Sequence, residues 1–261
     1  MRAAITVNNL NKKFGDLLVI DKLNLNIEAG SITSILAPSG AGKTTLLRII
    51  SGLEKPTSGT IKLNGERVSE PNPDIGFMFQ ESSAFPWLTV RKNIEFGLDL
   101  KTNRRRVKRE ELEDKVVQIC RELNIDRFLD FYPSQLSGGQ KQRVVIARSL
   151  ILKPKVILCD EPFSALDELT RADLRGVLLE LHRHYSPTIL FITHSVEEAV
   201  FLGDYLFICS GPPLRVIEEM KINLPATRKP ALVDDEAFIE QKAKAKRTLA
   251  KIRQGEETNN V

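Results

Sequence analysis

A stretch near the N-terminus has the residue types and spacing of a phosphate-binding loop. The strand-like run at 31–36 leads into Ala37-Pro38-Ser39-Gly40-Ala41-Gly42-Lys43-Thr44-Thr45, and apolar residues at helical spacing follow. Glycines let consecutive backbone N–H groups converge on a phosphate at a helix start, where the helix dipole favours an anion. Lys43 would add positive charge against the β- and γ-phosphates, and the Thr44 hydroxyl could bind Mg²⁺. The nucleotide-binding candidates of this loop are Pro38, Ser39, Gly40, Ala41, Gly42, Lys43, Thr44 and Thr45.

The first position of this loop departs from the strict pattern, because Ala37 stands where the pattern has glycine. That position only opens the turn, so a small residue can serve there. Taken alone, the stretch could also be a glycine-rich turn with an incidental lysine. Its place between a strand-like and a helix-like run favours phosphate binding.

Two adjacent carboxylates follow a second strand-like run. The apolar residues 156–159 end in Asp160 and Glu161. Because acids at the end of a buried strand are costly without a nearby cation, we predict that Asp160 binds Mg²⁺ and that Glu161 is the base polarising the attacking water. In isolation the two acids could equally be a helix cap. The phosphate loop in the same chain favours the catalytic interpretation.

A third stretch, Leu136-Ser137-Gly138-Gly139-Gln140, precedes apolar residues at helical spacing. Locally it has the pattern of a capping box, with Ser137 as the N-cap and Gln140 reaching back. Two glycines in a first helical turn each cost roughly 0.5–1 kcal/mol relative to alanine, which makes sense if another group must approach the backbone closely. A helix start with exposed N–H groups and a serine hydroxyl would be a second phosphate-binding surface.

This stretch matches the signature motif of ABC ATPases, and the chain resembles that family over residues 3–223. Four other positions match in the family's order. The resemblance implies that Phe14 stacks on adenine, that Gln80 of the Q-loop binds Mg²⁺ and assists catalysis, and that His194 is the switch histidine at the γ-phosphate. Asp167 matches the D-loop. The nucleotide contacts implied outside the phosphate loop are Phe14, Ser137, Gly138, Gly139, Gln140 and Asp167.

Each of these four positions has a local alternative. Phe14 could be simple core, and Gln80 could be an exposed strand end. Asp167 could be only the N-cap of the following helix, and His194 precedes Ser195-x-x-Glu198, itself a capping-box pattern. Six motifs in one order favour the family.

The resemblance also implies a mechanism and partners. In the family two copies pair head to tail, and the signature of one copy closes on the γ-phosphate of the ATP held with Mg²⁺ by the other. This chain has a single cassette and no long heptad repeats. Its Phe85, Trp87 and Leu88 lie where family members receive a helix of a membrane permease, an interface that aromatic anchors suit. Trp87 could instead be buried core.

The run at 85–90 resembles importers of the nitrate, sulfonate and taurine group. We therefore expect an ATP-hydrolysing subunit at the cytoplasmic face of the membrane that powers import of a small solute. Its partners would be a second copy of itself, integral-membrane permease subunits and, indirectly, a solute-binding protein. An exporter subunit, or an ABC ATPase of DNA repair or translation, is the alternative. A net charge of +4 is too small to indicate a nucleic-acid partner.

Hydrophobic periodicity places these motifs on an α/β framework. Short strands fill the first third, helical periodicity covers about 81–153, and strands then alternate with helices as in a parallel sheet covered on both faces. Together with this pattern, the resemblance to ABC ATPases implies a P-loop NTPase core of RecA type with an N-terminal antiparallel β subdomain and an inserted α-helical subdomain. The predicted strands are 5–10, 23–27, 31–36, 60–63, 75–79, 156–159, 188–193 and 205–209; predicted helices begin near 42, 90, 110, 137, 167 and 195.

We expect the ATPase domain to span 1–223, with the helical subdomain at about 82–153, and 224–261 to form a linker and a C-terminal helix. One face of that helix would be apolar through Phe238, Ala245, Leu249 and Ile252. The basic runs at 101–109 and 242–253 could be solvated faces or contacts with lipid head groups or a partner.

Composition sets the remaining limits. The 261 residues are 42% hydrophobic and 28% charged, which suits a large core. No apolar run reaches the roughly 20 residues that span a bilayer, and the N-terminus has no signal-peptide pattern, so the cytoplasm is the expected location. Cys120, Cys159 and Cys209 have no C-x-x-C spacing, so we expect core cysteines without disulfides or zinc.

Overall fold

The computed structural model describes residues 3–79, 84–99 and 109–258. The chain divides into two compact units, the first made of Met1–Asn72 with Thr188–Val261 and the second of Pro73–Pro187. Both units contain strands and helices, so the fold is α/β, as predicted.

The strands are β1 (Ala3–Phe14), β2 (Leu17–Glu28), β3 (Ile32–Leu36), β4 (Ser58–Leu63), β5 (Glu66–Arg67), β6 (Ile75–Met78), β7 (Val156–Asp160), β8 (Thr188–Thr193), β9 (Tyr205–Ser210) and β10 (Arg215–Lys221). The α-helices are α1 (Lys43–Ile50), α2 (Val90–Asp99), α3 (Arg109–Glu122), α4 (Gly138–Leu150), α5 (Glu168–Tyr185), α6 (Val196–Leu202) and α7 (Glu236–Thr258).

An antiparallel sheet in the order β2-β1-β4-β5 forms one layer of the first unit. In β2 the buried side chains of Leu23, Leu25 and Ile27 alternate with exposed asparagines. This period of two is the signature of a sheet with one face on the core and the other in water. The predicted N-terminal antiparallel subdomain is therefore present.

A second group of strands in the first unit follows the order β10-β9-β3-β8, in which β8 and β9 both run parallel to β3. Every residue of β3 and β8 is buried, because parallel strands are covered on both faces. The register pairs Leu36 with Thr193, so the segments that follow β3 and β8 leave the sheet side by side. The register thus positions the loop that starts at Ala37 next to His194.

The C-terminal helix α7 packs on α6 and β9. Its Phe238 and Ala245 are fully buried and Ile252 is nearly so, which confirms the predicted apolar face, with Leu249 half-buried at its margin. The segment before it contains a short 3-10 helix at Pro230–Asp234.

The second unit contains the parallel pair β6-β7 and the helices α2 to α5. Helix α4 contacts α2, α3, α5 and β6, so it is the central helix of this unit. It buries the consecutive residues Val144, Val145, Ile146 and Ala147 because it has neighbours on several sides. The predicted helical insertion is thus observed in its described part.

Two strands of the described residues, β5 and β10, were not predicted from the sequence. β10 is an edge strand in which only Met220 is fully buried, so it lacks a clear apolar alternation. β5 has only two residues, both exposed. The three cysteines are buried, as predicted for core residues. No described helix has the length and apolarity that crossing a bilayer requires.

Candidate functional site

The loop between β3 and α1 owes its shape to two glycines in the left-handed region. Gly40 has φ +76° and Gly42 has φ +100°. A Cβ on Gly42 would lie 2.9 Å from both Cγ1 and O of Val19, so conformation and space both require glycine there. Ala37 is buried and has no positive φ, so a residue with a small side chain fits at the first position of the motif.

Helix α1 starts without a side-chain cap. Its N-cap residue is Gly42, which has no side chain to accept from the first N–H groups, and its first turn contains no acid. Lys43 is buried and its Nζ donates to O of Pro38 at 2.7 Å and to O of Ala37 at 3.1 Å. Backbone donors and an ammonium therefore lie together at the positive end of a helix, which is the chemistry of a phosphate site.

The other residues of the loop differ in how much of their surface is exposed to solvent. Ser39 and Gly40 are exposed, Pro38, Thr44 and Thr45 are half-buried, and Ala41 is buried. The hydroxyls of Thr44 and Thr45 belong to the first turn of α1. They lie on the part of the helix where an anion or its metal would be held.

In the second unit, β7 ends in the two predicted carboxylates. Asp160 is the last residue of the strand and is only 3% exposed, while Glu161 is half-buried. Glu161 has φ +44°, a left-handed conformation that costs a residue with a Cβ about 1 kcal/mol or more. Ser164 holds the turn, since its N–H and hydroxyl donate to Glu161 O at 3.2 and 3.0 Å. Strain of this kind is concentrated at functional sites.

Helix α4 begins with the predicted capping box. The N–H of Gln140 donates to Ser137 Oγ at 3.3 Å, and the N–H of Ser137 donates to Gln140 Oε1 at 2.8 Å. Ser137 and Gly138 are nevertheless exposed. The tip of α4 thus satisfies part of its own backbone and still presents a surface to solvent.

Close packing within the second unit explains why glycine occupies positions 138 and 139, which the sequence alone did not show. A Cβ on Gly138 would lie 3.2 Å from Leu166 Cδ2, and one on Gly139 would lie 2.6 Å from Thr170 Cγ2. The closely approaching groups therefore belong to the same chain, at the start of α5. Glycine lets α4 pack against this segment, whatever else contacts the exposed tip.

Asp167 is the N-cap of α5. Its carboxylate accepts from the backbone N–H of Thr170 at 3.0 Å and from the Thr170 hydroxyl at 2.7 Å, and these hydrogen bonds hold the pKa of Asp167 below its ordinary value. The structure thus confirms the N-cap role that the sequence indicated as the alternative for Asp167. Capping and contact with a nucleotide are compatible, because the carboxylate is exposed.

His194 is exposed between β8 and α6. Ser195 caps α6, accepting from Glu198 N at 3.3 Å, but the predicted box is rearranged. Glu198 Oε2 accepts from the Thr193 hydroxyl at 2.6 Å, and Thr193 Oγ1 accepts from Ser195 N at 3.0 Å. The two residues flanking His194 are therefore joined by a ring of hydrogen bonds through Glu198.

The local alternatives for Phe14 and Trp87 are wrong, because neither side chain is core. Phe14 is 48% exposed at the end of β1, with Lys12 Nζ 4.4 Å from its ring centroid. Trp87 is 70% exposed and its ring lies 5.4 Å from that of Phe85. Both are aromatic surfaces open to a ligand or a partner.

Comparison with known proteins decides the family. The family model described as ABC transporter matches residues 20–164, which is more than half of the chain. The chain belongs to the ABC transporter family. It is an ATP-binding subunit, and ATP hydrolysis is its activity.

Several relatives of this ABC subunit are named as importers. The nitrate import ATP-binding protein NrtD of Synechocystis is 43% identical over 225 residues, covering 85% of this chain and 83% of the relative. The aliphatic sulfonates import ATP-binding protein SsuB of Bacillus cereus is 39% identical over 228 residues, covering 86% and 88%. These relatives confirm the resemblance to the nitrate and sulfonate importer group.

Two solved structures share the fold of this ABC subunit. CbiO1 from Clostridium perfringens, part of the ABC transporter complex CbiONQ, is 26% identical with a TM-score of 0.75, over 93% of this chain and 94% of that one. A dimeric ATP-binding cassette in a post-hydrolysis state with ADP and Pi is 32% identical with a TM-score of 0.71, over 85% and 100%. The P-loop NTPase fold predicted from the sequence is thereby confirmed.

One predicted site residue of this ABC subunit, Gln80, lies outside the described residues. The others fall into two groups. The first unit holds Phe14, the loop from Pro38 to Thr45 and His194, and the second holds Asp160, Glu161, the α4 tip and Asp167. Sequence reasoning missed Asn93, a fully buried residue whose Nδ2 donates to O of Phe85, Leu88 and Thr89 at 3.1, 2.9 and 3.0 Å, and whose Oδ1 accepts from Phe85 N at 2.7 Å. It fixes the loop that carries Trp87.

Proposed function

We propose that this ABC subunit powers import of a small solute, with nitrate, sulfonates and taurine as the class. The names of the NrtD and SsuB relatives support nitrate and sulfonates within this class. The observation that carries the mechanism is the presence of two different helix starts with anion-binding chemistry. One is uncapped and has a buried lysine, and the other is capped by its own side chains and exposed.

ATP would bind at the first of these helix starts. The backbone N–H groups of Ser39 to Gly42 and of the first turn of α1 would donate to the phosphate oxygens. Lys43 would exchange the carbonyl oxygens of Ala37 and Pro38 for phosphate oxygens. Phe14 would stack on the adenine, which its exposure allows.

Magnesium fits the donor set that the chain offers. The Thr44 hydroxyl, the Asp160 carboxylate and the Gln80 amide are the oxygen ligands that this ion prefers. When bound, Mg²⁺ supplies charge that offsets the negative charge developing on the transferred phosphoryl group. Asp160 suits this role because its carboxylate ends β7 and is the charged oxygen donor of this set.

Hydrolysis would depend on Glu161 and His194. The left-handed turn at Glu161 fixes its carboxylate at the end of β7, where it would accept a proton from the attacking water. The ring of hydrogen bonds fixes the residues on either side of His194 at the edge where the phosphate loop emerges, and from there the imidazole would contact the γ-phosphate. Gln80 is proposed to help position the water.

The second helix start would act on the nucleotide of another copy. Ser137, Gly138, Gly139 and Gln140 would close on the γ-phosphate held by the partner's loop, with Asp167 beside them. The dimeric cassette bound to ADP and Pi supports this pairing. Closure of two copies on two ATP molecules would be the power stroke, and hydrolysis would reopen the pair.

The aromatic loop at 85–89 would receive the permease. Trp87 offers an exposed ring beside the half-buried ring of Phe85. Asn93 holds the backbone on both sides of Trp87, through Phe85 and Leu88, so that little entropy is lost on docking. CbiO1, as part of a transporter complex, supports a membrane partner. We infer a subunit at the cytoplasmic face of the membrane, served indirectly by a solute-binding protein.

A Glu161→Gln variant tests this function. It should retain ATP binding, lose phosphate release and accumulate ATP-bound dimers, seen as a doubling of mass by light scattering after gel filtration. In the source organism the same variant should abolish uptake of nitrate, taurine or an alkanesulfonate. Unchanged phosphate release would remove Glu161 from the role of base, and unchanged uptake of all three solutes would refute the solute class.

A further inference from the structure

Helix α6 starts directly after Ser195, so it holds the position of His194. It has only seven residues, and a helix this short is not stable on its own in water. Its place is therefore set by what packs on it. In the first unit those neighbours are β3, β8 and the C-terminal helix α7.

The C-terminal segment holds the far end of α6. Arg228 is nearly buried, and its Nη1 donates to O of Phe201 at 2.9 Å and to O of Gly203 at 3.0 Å, the carbonyls left over where the helix ends. Its Nη2 donates to Asp204 Oδ1 at 3.0 Å, and the other oxygen of Asp204 accepts from Ile32 N at 2.9 Å. Arg228 thus caps α6 and ties it to the start of β3.

The same segment holds the near end of α6. Lys242 Nζ lies 2.6 Å from Glu197 Oε2, and both side chains are about one-third exposed or less. Glu197 belongs to the first turn of α6, three residues after His194. Between the two ends, the buried ring of Phe238 lies edge-on to Phe201 at 6.3 Å.

We propose that the segment 224–258 is a clamp on α6 and that Lys242 is a positioning residue for His194. The inference rests on the proposed role of His194 at the γ-phosphate. Because one residue separates His194 from α6, a displacement of the helix is passed to the imidazole. A misplacement of a catalytic group by about 1 Å can cost up to a hundredfold in rate. The tail would then be part of the catalytic apparatus as well as a packing element.

Two variants in the full-length protein test the clamp. Lys242→Met keeps an unbranched side chain and removes the ammonium, which lies 2.6 Å from Glu197 Oε2 and 5.8 Å from the Phe238 ring centroid. Glu197→Gln removes the charge of the other partner. Each should lower kcat for phosphate release about tenfold with KM for ATP nearly unchanged, since most of the nucleotide affinity is proposed to come from the loop before α1. Lys242→Arg should restore most of the rate. Lys246→Met, an exposed lysine on the same helix, is the matched control and should leave kcat unchanged.

Each outcome bears on the clamp. Unchanged kcat in both Lys242→Met and Glu197→Gln overturns it. So does a loss of kcat that is accompanied by a raised KM and a lower unfolding temperature and that Lys242→Arg does not restore, because that pattern means general destabilisation. If His194→Ala is inactive while Lys242→Met is fully active, only the clamp fails. If His194→Ala is fully active, the proposed role of His194 fails with it.

Discussion

The starts of α1 and α4 are both rich in glycine, but they differ in backbone conformation and in how the first turn is capped. Both have glycines before or within the first turn, but Gly42 takes a left-handed φ of +100° while Gly138 and Gly139 take ordinary negative values. At α1 no side chain caps the helix and Lys43 is buried beside it, whereas at α4 Ser137 and Gln140 close a capping box. Glycine thus shapes a loop in one case and allows close packing in the other.

This difference suggests separate roles for the two helix starts in ATP binding and ATP hydrolysis. An uncapped helix start with a lysine can hold a phosphate by its own charge and N–H groups. A capped, neutral tip offers little affinity alone, yet it can complete a site that already holds the anion. The α1 loop should therefore decide how tightly ATP binds, and the α4 tip should decide whether the bound ATP is hydrolysed.

The largest expected effect is that of an acid at the α4 tip. Gly138→Asp should lower phosphate release about 1,000-fold, because the new carboxylate repels the γ-phosphate at the place where donors should stabilise its charge. ATP affinity, measured by titration calorimetry, should change less than about threefold. Gly176→Asp on α5, where an added Cβ meets nothing within 4 Å, is the control and should leave turnover intact. Weaker ATP binding with normal turnover would contradict the assignment.

Removing the buried lysine should mainly lower ATP affinity, whereas the acid at the α4 tip should mainly lower turnover. Lys43→Ala should weaken ATP binding about 100-fold, because charge-assisted hydrogen bonds to phosphate are lost. Lys141→Ala, a lysine in the first turns of α4, provides the comparison and should alter affinity less than about threefold. Equal losses for the two lysines would show that the two helix starts do not differ in the way proposed.

The two glycine types should also differ in stability. Gly42→Ala forces a left-handed φ on alanine and a clash with Val19 O, so it should lower the free energy of unfolding by about 2 kcal/mol. Gly138→Ala needs only a small shift of Leu166 Cδ2 and gains helix propensity, so its effect should stay within about 0.5 kcal/mol of zero. Urea unfolding of both variants measures this, and a larger loss at Gly138 would reverse the interpretation.

The smallest effect concerns a third helix start, that of α5. Because hydrogen bonds lower the pKa of Asp167 in the folded state, its stabilisation is fully present above the unfolded pKa of about 3.9 and is lost as the pH falls through the folded value. The stability difference between the native protein and Asp167→Ala should be constant from pH 5 to 7 and shrink below about pH 4. A difference that does not change with pH would mean that the charged form gains nothing from the cap.

Local signals in the sequence predicted the framework and the geometry of the motifs. The strand, loop and helix around Lys43 and the capping box of Ser137 and Gln140 follow from residue types a few positions apart, and the structure has both. The exposure of Phe14 and Trp87 could not be predicted, because an aromatic residue near a strand or helix end fits core and surface equally well.

Features that depend on distant contacts were not predictable. The left-handed φ of Glu161 is imposed by the turn after β7, and nothing in a glutamate predicts it. Glu198 accepts from Thr193 instead of closing the expected box, because the end of β8 brings a hydroxyl within reach. The strand β10 is defined by its partner β9 more than by its own pattern.

Mixing two impaired variants, at an ATP concentration that loads the native loop but not that of Lys43→Ala, tests most directly whether the α4 tip serves the nucleotide of another copy. A mixed dimer of Lys43→Ala and Gly138→Asp would contain one site in which an intact loop from the second variant meets an intact tip from the first. We predict that phosphate release by the equimolar mixture clearly exceeds the sum of the two separate rates. A rate equal to that sum, measured under conditions in which the native protein dimerises on ATP, would contradict the account.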